Sequence, residues 1–194
     1  MLLADGLDRA AEWLSERPEE VRVVAVDGQS AAGKSTFADA LADRTSAAVV
    51  RGDDFYRVMD EHARARLSPR EGIYRYYDWP RMRDEALLPL RAGRAAVYLP
   101  YDWDSGLFGN QRVLVRPAAV VVVDGLFVSR PELRSLVDLA ILVEAPADVR
   151  VRRQLARADA AADWLARWDA AEQLFFAEVS PASGFELVVC GSGP

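Results

Sequence analysis

Lysine is almost absent from this chain. Of its 24 Lys and Arg residues, all but Lys34 are arginine. Cysteine and histidine are as scarce, with Cys190 and His62 the single examples of each. One cysteine excludes an internal disulfide and a cysteine-based zinc site, and Cys190 reads as a small apolar residue beside a strand. One histidine leaves little room for histidine-based metal chemistry. A basic excess is lacking too. The net charge of −6 supplies no surplus cations to displace counterions from a phosphate backbone, which argues against a general nucleic-acid binder. Neutral or cationic small substrates stay open, as do anionic ones held in a locally basic pocket. Long apolar runs are missing: stretches such as Pro117–Val123 are too short to span a bilayer and read as buried strands. The start, Met1-Leu2-Leu3-Ala4-Asp5, has neither a basic n-region nor a long apolar run. No secretory signal is expected, and the cytoplasm is the default location.

What is present suffices for a core. With 194 residues, 51% hydrophobic and 28% charged, the chain has ordinary globular composition and is expected to form one domain over 1–194. Apolar residues at Leu3, Leu7, Ala11 and Leu14 predict a helix that Pro18 ends. Strands are predicted at Val21–Val26, Ala47–Arg51, Ala118–Val123, Asp138–Val143 and Glu186–Val189. Helices are predicted at about Lys34–Ala42, from Pro80 to about Leu90, at Ala147–Ala158 and at Ala162–Glu178. Ala96–Trp103 and Arg112–Arg116 look like antiparallel pieces around a turn-rich segment. Strands alternating with helices predict an α/β fold on a parallel sheet with right-handed crossovers.

The chemistry begins at Gly28-Gln29-Ser30-Ala31-Ala32-Gly33-Lys34-Ser35. This is the G-x-x-x-x-G-K-[ST] phosphate loop, and its place between a strand and a helix supports the match. Backbone N–H groups of Gly28 to Thr36 would ring the phosphates, and Lys34 would reach the β- and γ-phosphates. A compact ammonium fits such a nest where a broad guanidinium does not. Ser35 is the expected Mg²⁺ ligand, and Thr36 the residue nearest the α-phosphate. Asp124, closing a run of four valines, stands where such enzymes place the carboxylate that holds magnesium-bound water. Asp53 and Asp54 lie just past the second strand, where a kinase of alcohols needs a carboxylate to accept the hydroxyl proton. In an extended segment the two would point apart, so one would face the site.

At these residues the chain resembles the uridine kinase family, over about Val21–Val189. Gly28–Thr36 matches its glycine loop, and Asp53-Asp54-Phe55-Tyr56-Arg57 its D-x-F-Y-R element. Tyr77-Asp78-Trp79-Pro80 is similar to its F-D-H-P segment, and Leu99-Pro100-Tyr101-Asp102-Trp103 to its P-x-Y-D-F segment. The resemblance implies a P-loop NTPase three-layer sandwich with a parallel five-stranded sheet, a helical lid at about 147–163 and a substrate-binding excursion at about 53–116. It implies ATP and Mg²⁺ as cofactors, Asp53 as base, Asp78 on sugar hydroxyls, and Tyr56, Tyr101 and Trp103 around the acceptor. Arg150, Arg153 and Arg157 fall on one helix face, from which they could clamp the triphosphate; Arg153 and Arg157 are the candidates for stabilising the transferring phosphoryl group.

Three departures stand against this match. Asp104-Ser105-Gly106-Leu107-Phe108 lacks the histidine that follows Y-D-F in the family, Trp79 replaces the histidine of F-D-H-P, and Ala160-Ala161-Ala162-Asp163-Trp164 replaces an arginine- and glycine-containing extension. The expected activity is phosphorylation of a small-molecule alcohol, a nucleoside first. Pantothenate-like, sugar and nicotinamide-riboside-like alcohols stay open, as does a non-catalytic nucleotide-binding regulator. Neither a nucleic acid nor a membrane is an expected partner; a homo-oligomer is left open.

Overall fold

The computed structural model describes residues 1–17, 20–157 and 162–191. Chain order begins with α1 (Leu3–Ser15), β1 (Arg22–Asp27), α2 (Lys34–Thr45) and β2 (Ala48–Arg51). An excursion follows, with α3 (Glu61–Ala65), α4 (Pro69–Arg75), α5 (Trp79–Met82), a π-helical turn at Arg83–Leu87 and α6 (Leu88–Arg91). Four short strands complete it: β3 (Ala96–Tyr98), β4 (Tyr101–Asp102), β5 (Leu107–Phe108) and β6 (Val113–Val115). The chain then returns through β7 (Val120–Asp124), β8 (Leu139–Glu144), α7 (Ala147–Arg157), α8 (Ala162–Leu174) and β9 (Leu187–Cys190).

The main sheet has the order β2-β7-β1-β8-β9, every pair parallel. Period-two alternation sends its side chains into two layers. Val24, Val26, Val122, Ile141 and Val143 pack with Leu7, Phe37 and Leu41 of α1 and α2. Val23, Ala25, Val121, Val123 and Leu142 pack on the other side with Leu87 and Leu90. The result is an α/β three-layer sandwich. A third cluster, rich in aromatic residues, joins the excursion to α8 through Tyr56, Tyr76, Tyr77, Trp168 and Phe175.

Boundaries moved where local chemistry allowed. α2 runs past the expected end near Ala42 to Thr45, because Ser46 supplies the left-handed cap at φ +54°. The antiparallel pieces resolve into β3 paired with β6, while β4, at the end of the first expected piece, forms a small hairpin with β5, which lies in the stretch expected to be turn. The β9 edge is partly covered by the chain start, where the Cys190 N–H donates to the Met1 carbonyl at 2.8 Å.

Candidate active site

Three strand ends converge on one cleft. The loop after β1 needs glycine at two positions: Gly28 has φ +147° and Gly33 φ +106°. A Cβ on Gly28 would fall 2.1 Å from the Val143 carbonyl oxygen of the neighbouring strand. Ala31, at φ +61°, is held in the left-handed region without glycine's freedom. The cleft holds about 180 Å³ and is lined by Ser30, Ala31, Gly33, Lys34, Ser35 and Thr36 of the loop and the start of α2, together with Asp53, Asp124 and Trp103. Tyr77, Gly125, Leu126, Trp164 and Trp168 complete its walls. The Lys34 ammonium donates to the Gln29 carbonyl at 3.1 Å.

Asp124 is buried and ion-paired to Arg51 through Oδ2 at 3.0 Å. Its Oδ1 is also buried and has no hydrogen-bond partner among the described residues. Burial pushes this carboxyl up from its ordinary value, and Ser35, Lys34 and Arg51 oppose the shift. A partnerless buried carboxylate oxygen beside a serine hydroxyl fits a hard divalent cation. Mg²⁺ commonly takes one or two carboxylates, with water and phosphate oxygens filling its other positions.

The Asp53–Asp54 pair divides across a 3₁₀ turn, Gly52–Phe55, and not across an extended segment. Asp53 lines the cleft and accepts from the Tyr77 hydroxyl at 3.0 Å. Asp54 accepts from Tyr98 at 3.0 Å, and burial is the main cause that raises its carboxyl. Tyr77 is pushed well above the ordinary phenol value, first by burial and then by Asp53, so it stays a donor.

Other expected residues stand back from the cleft. Tyr56 is buried, its ring stacked on Trp103 at 4.7 Å between centroids, and its hydroxyl has no partner among the described residues. Tyr101 packs edge-on against Tyr56 at 5.0 Å. Asp78 caps α5 through the Arg81 N–H at 3.3 Å and faces Arg57 at 3.5 Å. Ala32 is buried, and its carbonyl, at 3.4 Å, and that of Ala31, at 3.0 Å, accept from Arg153. Arg153 also reaches the Gly191 carbonyl at 3.0 Å, and Arg150 lies against Asp169 and Glu172 at 3.7 and 3.8 Å. The expected clamp therefore has these two guanidinium groups engaged with protein oxygens outside the cleft, since both find carboxylates or carbonyls within reach. The Arg157 side chain and positions 158–161 of the expected lid lie outside the described residues.

Sequence reasoning missed two carboxylates. Glu172, buried on α8, accepts from the Ser30 N–H at 2.9 Å and from the Ser30 hydroxyl. Burial raises its carboxyl against the pull of Ser30, Lys34 and Arg150. Asp27, fully buried at the end of β1, accepts from the N–H groups of Gly28, Phe127 and Ser129 at 2.7, 3.0 and 2.8 Å, and from the Ser129 hydroxyl at 2.6 Å. An acidic residue directly before the glycine loop was the available signal for Asp27. Glu172 sits in a mixed helical pattern that signals nothing. Trp164, which the sequence shows as part of a departure from the family, and Trp168, expected only within a helix, both wall the cleft.

A parallel sheet with a phosphate loop after its central strand, and carboxylates at the same edge, defines the P-loop NTPase class. Within that class, residues 23–162 match the Phosphoribulokinase / Uridine kinase family. The chain belongs to that family of small-molecule kinases. Over 145 residues it is 28% identical to a uridine kinase of Shewanella denitrificans, covering 70% of this chain and 68% of that protein. In fold it is similar to a protein assigned as a possible uridine kinase from Bacillus stearothermophilus, with a TM-score of 0.74, 17% identity and coverage of 97% and 100%. It is also similar to a protein assigned as a fructose transport system kinase from Silicibacter sp. TM1040, with a TM-score of 0.72, 24% identity and coverage of 97% and 98%. At these identities the structural likeness concerns fold alone. Among the described residues no helix is long and apolar enough to cross a membrane.

Proposed function

We propose that this protein transfers the γ-phosphoryl group of ATP to a hydroxyl of a small molecule, a nucleoside first among the candidates. The observation that carries the reading is one cleft containing Lys34, Ser35, the partnerless Oδ1 of Asp124 and the Tyr77-held Asp53. The loop amides and the N-terminus of α2 bind the phosphates, and Lys34 offsets their charge. Ser35 and Asp124 would hold Mg²⁺, which neutralises phosphate charge when bound. Asp53 accepts the proton of the acceptor hydroxyl as its oxygen attacks, while Tyr77 fixes the carboxylate by donating to Oδ1. The segment at about 147–163 would act as the lid in this reading, excluding water.

ADP release against a panel of nucleosides, sugars and pantothenate tests the proposal. Acceptor-dependent release is expected, and Asp53→Asn should lower kcat by about 10²–10⁴-fold. ATP binding without acceptor-stimulated turnover for any alcohol would overturn the kinase reading. Undiminished turnover in Asp53→Asn would remove Asp53 as the base. A fructose-type sugar is a second acceptor reading, favoured by the missing histidine at Asp104–Phe108 and by the transport-system kinase of similar fold.

A further inference from the structure

The oxygens that hold Arg153 belong to the frame of the phosphate loop. Its Nη1 donates to the Ala31 carbonyl at 3.0 Å and, at 3.4 Å, to that of Ala32, while Nη2 donates to the Gly191 carbonyl at 3.0 Å. Arg153 is not among the described residues that line the cleft, so the loop carbonyls that reach it point away from the phosphate side. In a trans peptide the carbonyl and the next N–H point in opposite directions. Turning out the Ala31 carbonyl therefore sends the Ala32 N–H inward, where it closes the loop on the Gln29 carbonyl at 3.1 Å. Turning out the Ala32 carbonyl sends the Gly33 N–H inward, toward the place an anion would take. Little slack is left behind the loop. A Cβ on Gly191 would fall 2.0 Å from the Ala32 oxygen, and the Gly191 N–H is fixed to the Glu144 carbonyl at 2.7 Å.

From this geometry we infer that Arg153 is a positioning residue for the phosphate donor: reaching from α7, it braces the outer carbonyls of the loop against the end of β9, aims the loop N–H groups before nucleotide arrives, and does not touch the transferring phosphoryl group. The inference rests on the phosphate-binding part of the reading above and gives this arginine a task other than the clamp that the resemblance implies. A guanidinium suits the task, because its rigid fork of donors spans carbonyls from two segments at once. A loop already set in its binding shape needs no ordering when the ligand binds, so the brace acts on affinity. A clamp on the moving phosphoryl group acts on kcat instead.

ADP separates the two tasks, because it carries phosphates that the loop holds and lacks the one that moves. On the intact protein with Mg²⁺, calorimetry on Arg153→Ala should show the Kd for ADP raised about tenfold, and the KM for ATP should rise alike with kcat within about threefold. Arg153→Lys, whose ammonium still donates to the loop carbonyls, should return to within about threefold of the parent. Amide exchange over residues 28–36 should quicken in Arg153→Ala and slow again in Arg153→Lys. An unchanged Kd for ADP in Arg153→Ala overturns the brace, including where the denaturation midpoint falls and the residue is merely structural. A kcat at least about a hundredfold lower with that Kd unchanged overturns it too, and puts Arg153 on the moving phosphoryl group. Should Arg153→Ala not fold, Arg153→Gln carries the same comparison. Binding of ADP needs no acceptor, so failure of every alcohol to be phosphorylated would sink the kinase reading and leave this result standing.

Discussion

Tyr77 and Tyr98 sort two adjacent carboxylates into different roles. Each tyrosine donates to one aspartate at 3.0 Å, but only Asp53 faces the cleft. Asp54→Asn should therefore keep kcat within about threefold, where Asp53→Asn loses at least about a hundredfold. Tyr77→Phe should lower kcat about tenfold with the KM for ATP unchanged, because it frees the Asp53 carboxylate to rotate while the phosphate loop is untouched. Steady-state kinetics on the three variants check both statements. The sequence made these two residues visible as a pair, and the resemblance chose between them. The geometry that separates them was not legible. It depends on a 3₁₀ turn and on tyrosines 24 and 44 residues away.

Between elements, the decisive contact joins α8 to the phosphate loop. Glu172 holds both the N–H and the hydroxyl of Ser30, and Arg150 of α7 lies beside it. Strand, loop and helix around Lys34 were readable because the motif is local. This latch spans 142 residues, and no local pattern announces it. Glu172→Ala leaves a buried guanidinium with a weakened partner set and an amide without its acceptor. The expected cost is about 2 kcal/mol, seen as a lower denaturation midpoint and faster hydrogen exchange in α7 and α8. The same variant should alter ATP binding, since a carboxylate leaves the loop that receives phosphate. Equal exchange rates in variant and parent would show that Glu172 does not fasten the segment.

At the scale of the whole molecule, Asp138 ties the sheet to the excursion. Arg91 of α6 reaches it with two bonds, at 2.8 and 3.1 Å, and the Val23 N–H of β1 donates at 2.8 Å. Burial opposes the charged carboxyl, but these bonds prevail and hold it below the ordinary value. An acid lowered in the folded state contributes stability above its unfolded value and loses it as pH falls through the folded one. Asp138→Asn should therefore flatten the acid limb of the stability curve below about pH 4, and lower stability at neutral pH by about 1 kcal/mol given its partial exposure. Denaturant midpoints measured against pH for both proteins check the sign. The parallel α/β sheet was legible in the chain, because five apolar runs alternate with helical patterns, and the resemblance added the three-layer sandwich. The order in which those strands lie, and hence which carboxylates meet at one edge, rests on pairings between distant segments.

The composition that isolates Lys34 among arginines has a chemical consequence. Reagents that acylate primary amines ignore guanidinium groups, so among the side chains of this sequence they have one target, the ε-amino group of Lys34 in the cleft. Acylation counted by mass becomes a direct occupancy meter for the phosphate site. Coupling the protein to a surface through its lysine side chain would, for the same reason, close the site it was meant to display.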